Sequence, residues 1–130
     1  MFENGDYDKV RLYNAAVSDE RSYVGVKRSW FRLSITSTVS GKGDVPAVPL
    51  DALGLNDLRF LKLDVEGFEY QAPLGAKATI EKCRPAVLME VKPAEEEQLP
   101  EPYKAEKLLL AMGFTVALTA GINRLYYPCD

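Results

Sequence analysis

Two short apolar runs constrain this 130-residue chain more than any other feature. Leu58 to Asp64 and Ala86 to Val91 both read as buried strands, and both carry a carboxylate at or near the C-terminal end, Asp64 in the first and Glu90 in the second. Between them lie a helical piece from Phe68 to Gly75 and a second from about Ala76 to Lys82. Apolar run, helix, apolar run is the pattern of two neighbouring parallel strands, and it predicts an α/β fold. In open α/β sheets chemistry sits where the C-terminal ends of strands meet the following loops. Asp64 and Glu66 occupy that place, and Glu90 would stand beside them. Such a pair of strand ends suits a general base or a hard divalent cation, although one pair is too few ligands to assign a metal. A plainer role is also open to these acids, because carboxylates near a helix N-terminus are favoured by the macrodipole by about 0.3–1 kcal/mol. Glu69, one turn further on, fits that role.

The segment Leu61-Lys62-Leu63-Asp64-Val65-Glu66-Gly67-Phe68-Glu69 resembles the signature of FkbM-type methyltransferases. Val48-Pro49-Leu50-Asp51-Ala52-Leu53 resembles the family's segment before this strand. Leu74-Gly75-Ala76 and Arg84-Pro85-Ala86-Val87-Leu88-Met89-Glu90-Val91 resemble the family's segments after it. Asn14-Ala15-Ala16-Val17-Ser18-Asp19-Glu20 is similar to the family's third-strand region. The resemblance runs from about the first residue to Val91 and more weakly beyond. It implies a Rossmann-like, S-adenosylmethionine-dependent enzyme that transfers a methyl group to a hydroxyl of a small molecule or sugar. Asp64 and Val65 would then lie beside the cofactor, with Asp64 at its methionine end. Asp64 or Glu66 would orient or deprotonate the acceptor hydroxyl, with Glu90 as a further catalytic candidate. Ala16, Val17 and Ser18 would line the adenine; without the family they read as a hairpin turn with no ligand.

Family sheets run in the order 3-2-1-4-5-7-6, and their first strand leads into a Gly-rich turn and a helix that receive the cofactor. No strand followed by Gly-x-Gly occurs in this sequence, which starts just before the third-strand region. The chain therefore reads as a single domain over residues 1–130, similar to the C-terminal two-thirds of a class I methyltransferase domain: a truncated Rossmann-like fold with a mainly parallel sheet and an antiparallel C-terminal hairpin. Losing two strands from the middle of a sheet would leave buried backbone groups unpaired, which costs too much to persist. The expected remedy is closure, with a strand from Lys9 to Val17 pairing directly beside Leu58–Asp64. A homodimer through an exposed sheet edge is the expected accompaniment. Other readings stay open: a piece of a longer methyltransferase, a catalytically silent remnant that serves as a binding or assembly module, or half of a site completed by a partner chain.

Elsewhere the sequence gives local expectations. Ser18 to Ser22 forms a turn and Tyr23 to Val26 a short returning strand. Lys27 to Val45 reads as an irregular loop with one strand, Leu33 to Thr38, and with Trp30 as a residue that covers substrate or packs in the core. Gly41-Lys42-Gly43 lacks the spacing of a phosphate loop. Asp51 fits an N-cap for a short helix ending near Gly54. Pro73 should distort or end the helix it sits in. Lys92 fits an ion pair with Glu90, and Glu95 to Glu97 a solvated loop. Ala105, Leu108, Leu109 and Met112 share one helical face, and Gly113 fits the position just past the helix end. Phe114, Val116 and Leu118 alternate as a strand, with Ile122 to Tyr127 returning beside it.

Composition removes several classes of function. There is no histidine, so Ser-His and Cys-His nucleophile schemes are out, and any general base must be carboxylate, lysine, tyrosine or water. The net charge of −3 disfavours a nucleic-acid partner held by phosphate contacts. Cys83 and Cys129 match no metal-ligand spacing and are expected as free thiols in a cytoplasmic protein. No apolar run is long enough to span a bilayer, so no membrane partner is expected.

Overall fold

The computed structural model describes residues 9–31, 34–91 and 101–129. The first sheet holds three strands, β1 (Ala16–Val17), β2 (Ser22–Phe31) and β3 (Ser34–Val48), in the order β1-β3-β2. A 3-10 turn over Leu50–Leu53 leads to the second sheet and its helices: β4 (Phe60–Leu63), α1 (Gln71–Leu74), α2 (Lys77–Cys83), β5 (Ala86–Glu90), α3 (Glu101–Ala111), β6 (Phe114–Ala120) and β7 (Asn123–Pro128). That sheet runs β4-β5-β7-β6.

The fold is α/β, as the two apolar runs require, but the sheets are mixed rather than mainly parallel. Parallel pairing joins β1 to β3 and β4 to β5; the β2–β3, β5–β7 and β6–β7 pairs are antiparallel. The expected C-terminal hairpin is present. Closure of the sheet is not. The strand predicted over Lys9–Val17 shrinks to Ala16–Val17, and it pairs with Ala47 and Val48 instead of with the Asp64 strand. The expected central strand, β4, consequently lies at the edge of its sheet, with β5 as its one neighbour among the described residues. The expected loop over Lys27–Val45 is instead the distal part of a long hairpin in which Phe31 pairs with Ser34 and Ser22 with Ala47, with one irregularity between Val24 and Gly25. Lys92 and Glu95 to Glu97 lie outside the described residues.

One buried cluster holds the second sheet to its helices. Leu63 from β4 and Val87 and Met89 from β5 pack with Ala72, Ile80, Ala105 and Leu109 of the three helices and with Tyr126 of β7. The period-two alternation of β5 explains why: Val87 and Met89 face the helices while Ala86, Leu88 and Glu90 stay partly exposed. Pro73 ends its helix as expected. α1 is a single turn, Gly75 and Ala76 interrupt, and α2 starts afresh at Lys77.

Asp51 has a different task from the one its sequence position predicts. The residue before the 3-10 turn is Pro49, with no side-chain cap. The Asp51 carboxylate instead crosses to the start of α2, where it accepts hydrogen bonds from Ala78 N (3.1 Å), Thr79 N (2.8 Å) and Thr79 Oγ1 (2.7 Å). It satisfies donors that the helix N-terminus leaves open. Asp51→Ala should therefore destabilise the fold by about 1–2 kcal/mol, read from the urea midpoint.

A polar clamp ties α3 to β7. Glu106 accepts hydrogen bonds from Arg124 and from the phenol of Tyr126, which is fully buried. Burial opposes ionisation of Glu106, but the Tyr126 and Arg124 hydrogen bonds prevail and hold its carboxyl below the ordinary value of 4.5. Burial, and then the neighbouring Glu106, push the Tyr126 phenol well up. A carboxyl with a depressed pKa contributes stability that is present above its unfolded value and is lost as pH falls through the folded one. Glu106→Gln should thus cost about 2–3 kcal/mol near neutral pH. The gap to the wild type should narrow as the pH of the denaturation series drops below 4.5.

Candidate functional site

The C-terminal ends of β4 and β5 lie side by side because Leu63 is paired with Met89 in the parallel ladder. This brings Asp64 next to Glu90. After Asp64 the chain turns at Gly67, whose φ of 95° is the region that favours glycine. The turn carries Glu66 back over the same strand ends. One carboxylate oxygen from each of Asp64, Glu66 and Glu90 lies within 4.8 Å of the others. With Leu63, Val65, Glu69 and Met89 they line a small cleft of about 10 Å³, room for about one water molecule or ion.

Two further residues shape this cleft. Lys62 Nζ sits 3.0 Å from Asp64 Oδ2, both side chains being about half exposed. Glu69 accepts a hydrogen bond from Gly67 N at 3.1 Å, which fixes the turn that aims Glu66. Neither stood out in the sequence as part of a site. The signal for Lys62 was available: residues two apart on a strand share a face, so Lys62 and Asp64 had to meet. Three carboxylates at this spacing match the donor set of a hard divalent cation, and exposed acids also stand in water without one.

The expected cofactor residues divide into two groups. Asp64 and Val65 line the cleft with the catalytic candidates Glu66 and Glu90. Ala16 and Val17 do not; they belong to the other sheet and line a separate, mainly apolar cavity of about 230 Å³ with Leu12, Val48 and Leu50. Ser18 is buried at 3% exposure, its N–H donates to Val48 O and its hydroxyl donates to Asp19.

The second sheet thus presents an acidic strand-end cleft, and the first an apolar cavity. No helix among the described residues is long and apolar enough to cross a membrane. The family model for the methyltransferase FkbM domain matches residues 4–116, and the chain belongs to that family. No curated protein and no solved structure matches it.

Proposed function

We propose that this member of the FkbM methyltransferase family binds S-adenosylmethionine and transfers its methyl group to a hydroxyl of a small molecule or sugar. The observation that carries the reading is the convergence of Asp64, Glu66 and Glu90 on one cleft at the ends of two parallel strands. The order β4-β5-β7-β6 supports it, because it equals the 4-5-7-6 half of a family sheet. Methyl transfer from a sulfonium is an in-line displacement, so the enzyme's main contribution is to hold donor and acceptor in line. Asp64 would hold the cofactor's methionine end, with Val65 beside it in the cleft. Glu66 would accept the hydrogen bond of the acceptor hydroxyl and take its proton, with Glu90 beside it on the neighbouring strand as a second acceptor; the bound cofactor would supply the methyl group and leave as its thioether when the carbon–sulfur bond breaks. Ala16 and Val17 offer the apolar surface suited to an adenine, with Ser18 closing the end of the strand.

A second reading rests on a specific observation. The apolar cavity and the acidic cleft lie in separate sheets, so a ligand that needs both demands that they come together. On this reading the chain is a binding module, or its site is completed by a partner.

Calorimetric titration with S-adenosylhomocysteine separates the two. Methyl transfer predicts micromolar binding that weakens about tenfold or more in Asp64→Ala, as befits the loss of a charged hydrogen bond. A cooperatively folded sample that gives no heat at millimolar ligand would overturn the catalytic reading in favour of the module.

A further inference from the structure

We propose that Lys62 and Asp64 together form a receptor for an α-amino acid zwitterion, Asp64 taking the ammonium and Lys62 the carboxylate of the cofactor's methionine end. This deepens the methyl-transfer reading, on which it rests, and adds Lys62 to the binding residues. Lys62 belongs to β4 and Asp64 directly follows that strand. Residues two apart on a strand share a face, and Lys62 Nζ stands 3.0 Å from Asp64 Oδ2. The pair forms within one strand and the residue after it, so no neighbouring strand has to be present or absent for it to exist.

Stability does not account for the pair. The two side chains are 58% and 52% exposed, and ion pairs in that setting add little to a fold, because water screens them and a long side chain must be held still. What the pair supplies is a fixed arrangement of opposite charges beside the cleft. Asp64 lines the cleft with Val65, Glu66 and Glu90, whereas Lys62 is not a lining residue and reaches the cleft through Asp64. A carboxylate accepts up to about four hydrogen bonds, so Asp64 can hold Lys62 and still receive a second cation. The Lys62 ammonium likewise has donors beyond the one that Asp64 takes. An α-amino acid bears its ammonium and carboxylate on one carbon. Laid antiparallel against Lys62 and Asp64, it meets an opposite charge at both ends, and each hydrogen bond is charge-assisted. The neighbouring acids set the direction. Glu66 and Glu90 each bring an oxygen within 4.8 Å of one from Asp64, which draws the ammonium inward and turns the carboxylate out towards Lys62.

Calorimetric titration of the full chain with two ligands tests this. One is S-adenosylhomocysteine, which carries the whole amino acid end; the other is its decarboxylated analogue, which keeps the amine and lacks the carboxylate. The wild type should prefer S-adenosylhomocysteine about tenfold or more, the worth of one charged hydrogen bond. Lys62→Met removes the charge and should abolish that preference, weakening S-adenosylhomocysteine about tenfold without weakening the analogue. Lys62→Arg keeps the charge and should keep the preference. Asp64→Ala should weaken both ligands, since both carry the ammonium. Urea midpoints of the Lys62 variants should match the wild type, because the pair is exposed. A wild type that binds the two ligands equally, a Lys62→Met protein that keeps the preference, or a Lys62→Arg protein that behaves as Lys62→Met would each overturn the role of Lys62 and leave the methyl-transfer reading standing. A folded wild type that binds neither ligand would overturn both.

Discussion

Gly75→Ala is expected to lower stability by about 3 kcal/mol or more, the upper end of what overpacking costs. In a protein of this size that is a fall of roughly 10 °C in Tm. Conformation does not require glycine here: φ is −75° and ψ −4°, a helical geometry any residue adopts. In such a position alanine would ordinarily stabilise by about 0.4–1 kcal/mol through the unfolded chain. What forbids it is proximity. An alanine Cβ would lie 1.9 Å from Ser18 O, 2.8 Å from Ser18 C and 2.9 Å from Asp19 Cα. All three are backbone atoms of the turn after β1, so no side chain can swing away. The carbonyl of Gly75 also accepts the N–H of Asp51 at 2.9 Å. The residue is thus where the first sheet, the 3-10 turn and the α1–α2 junction touch. Gly54→Ala is the control: it sits at φ 62° with nothing within 4 Å of the added methyl. It should cost only the left-handed strain, about 1–2 kcal/mol. Urea denaturation of both variants decides; a Gly75→Ala protein as stable as the wild type would mean that the β1 turn does not seat against the helices.

The contrast between Gly75 and the rest of the chain shows what the sequence makes legible. Elements whose signal is local are readable: the apolar run of β5, the helical spacing of Ala105 and Leu109, the break at Pro73, the hairpin of β6 and β7. Asp64, Glu66 and Glu90 are readable as neighbours because a parallel pair of strands puts their ends together whatever else the chain does. The long β2–β3 hairpin is not readable. Its strands are interrupted by Ser, Gly, Lys and Asp, which carry little strand propensity of their own, and the ladder rests on pairing across the hairpin. The partner of β1 is hidden for the same reason. Ala16 and Val17 have a strand pattern that fits any sheet edge, and the choice of Ala47 and Val48 over β4 is a tertiary event. Asp51 was visible as a cap; which helix it caps, 27 residues away, was not.

Arg84→Ala should lose about 3 kcal/mol, and the order of two substitutions at this site should run against ordinary propensity. Arg84 follows α2 with φ 52° and ψ 48°, a left-handed conformation that costs a non-glycine residue about 1–2 kcal/mol. The fold accepts that cost because the side chain then reaches the residues that follow α3 and β7. Its guanidinium donates to Met112 O at 2.6 Å, Gly113 O at 2.9 Å and Cys129 O at 3.2 Å, and lies 4.6 Å from the ring centre of Phe114. Met112 and Gly113 directly follow α3, where carbonyls lack helical partners. One cation therefore satisfies a helix terminus and fastens it to the end of β7. Hydrogen bonds from a charged group are worth about 1.5–3 kcal/mol each, and water recovers part of this at a half-buried site. Arg84→Ala loses the clamp and keeps the strained backbone. Arg84→Gly loses the same clamp but relieves the strain, so it should be the more stable of the two by about 1 kcal/mol. Arg84→Lys should fall between Arg84→Gly and the wild type, because an ammonium keeps the charge and cannot fork across three carbonyls. Equal stabilities for the alanine and glycine variants, measured by urea titration, would show that the backbone at Arg84 is not held left-handed by the clamp.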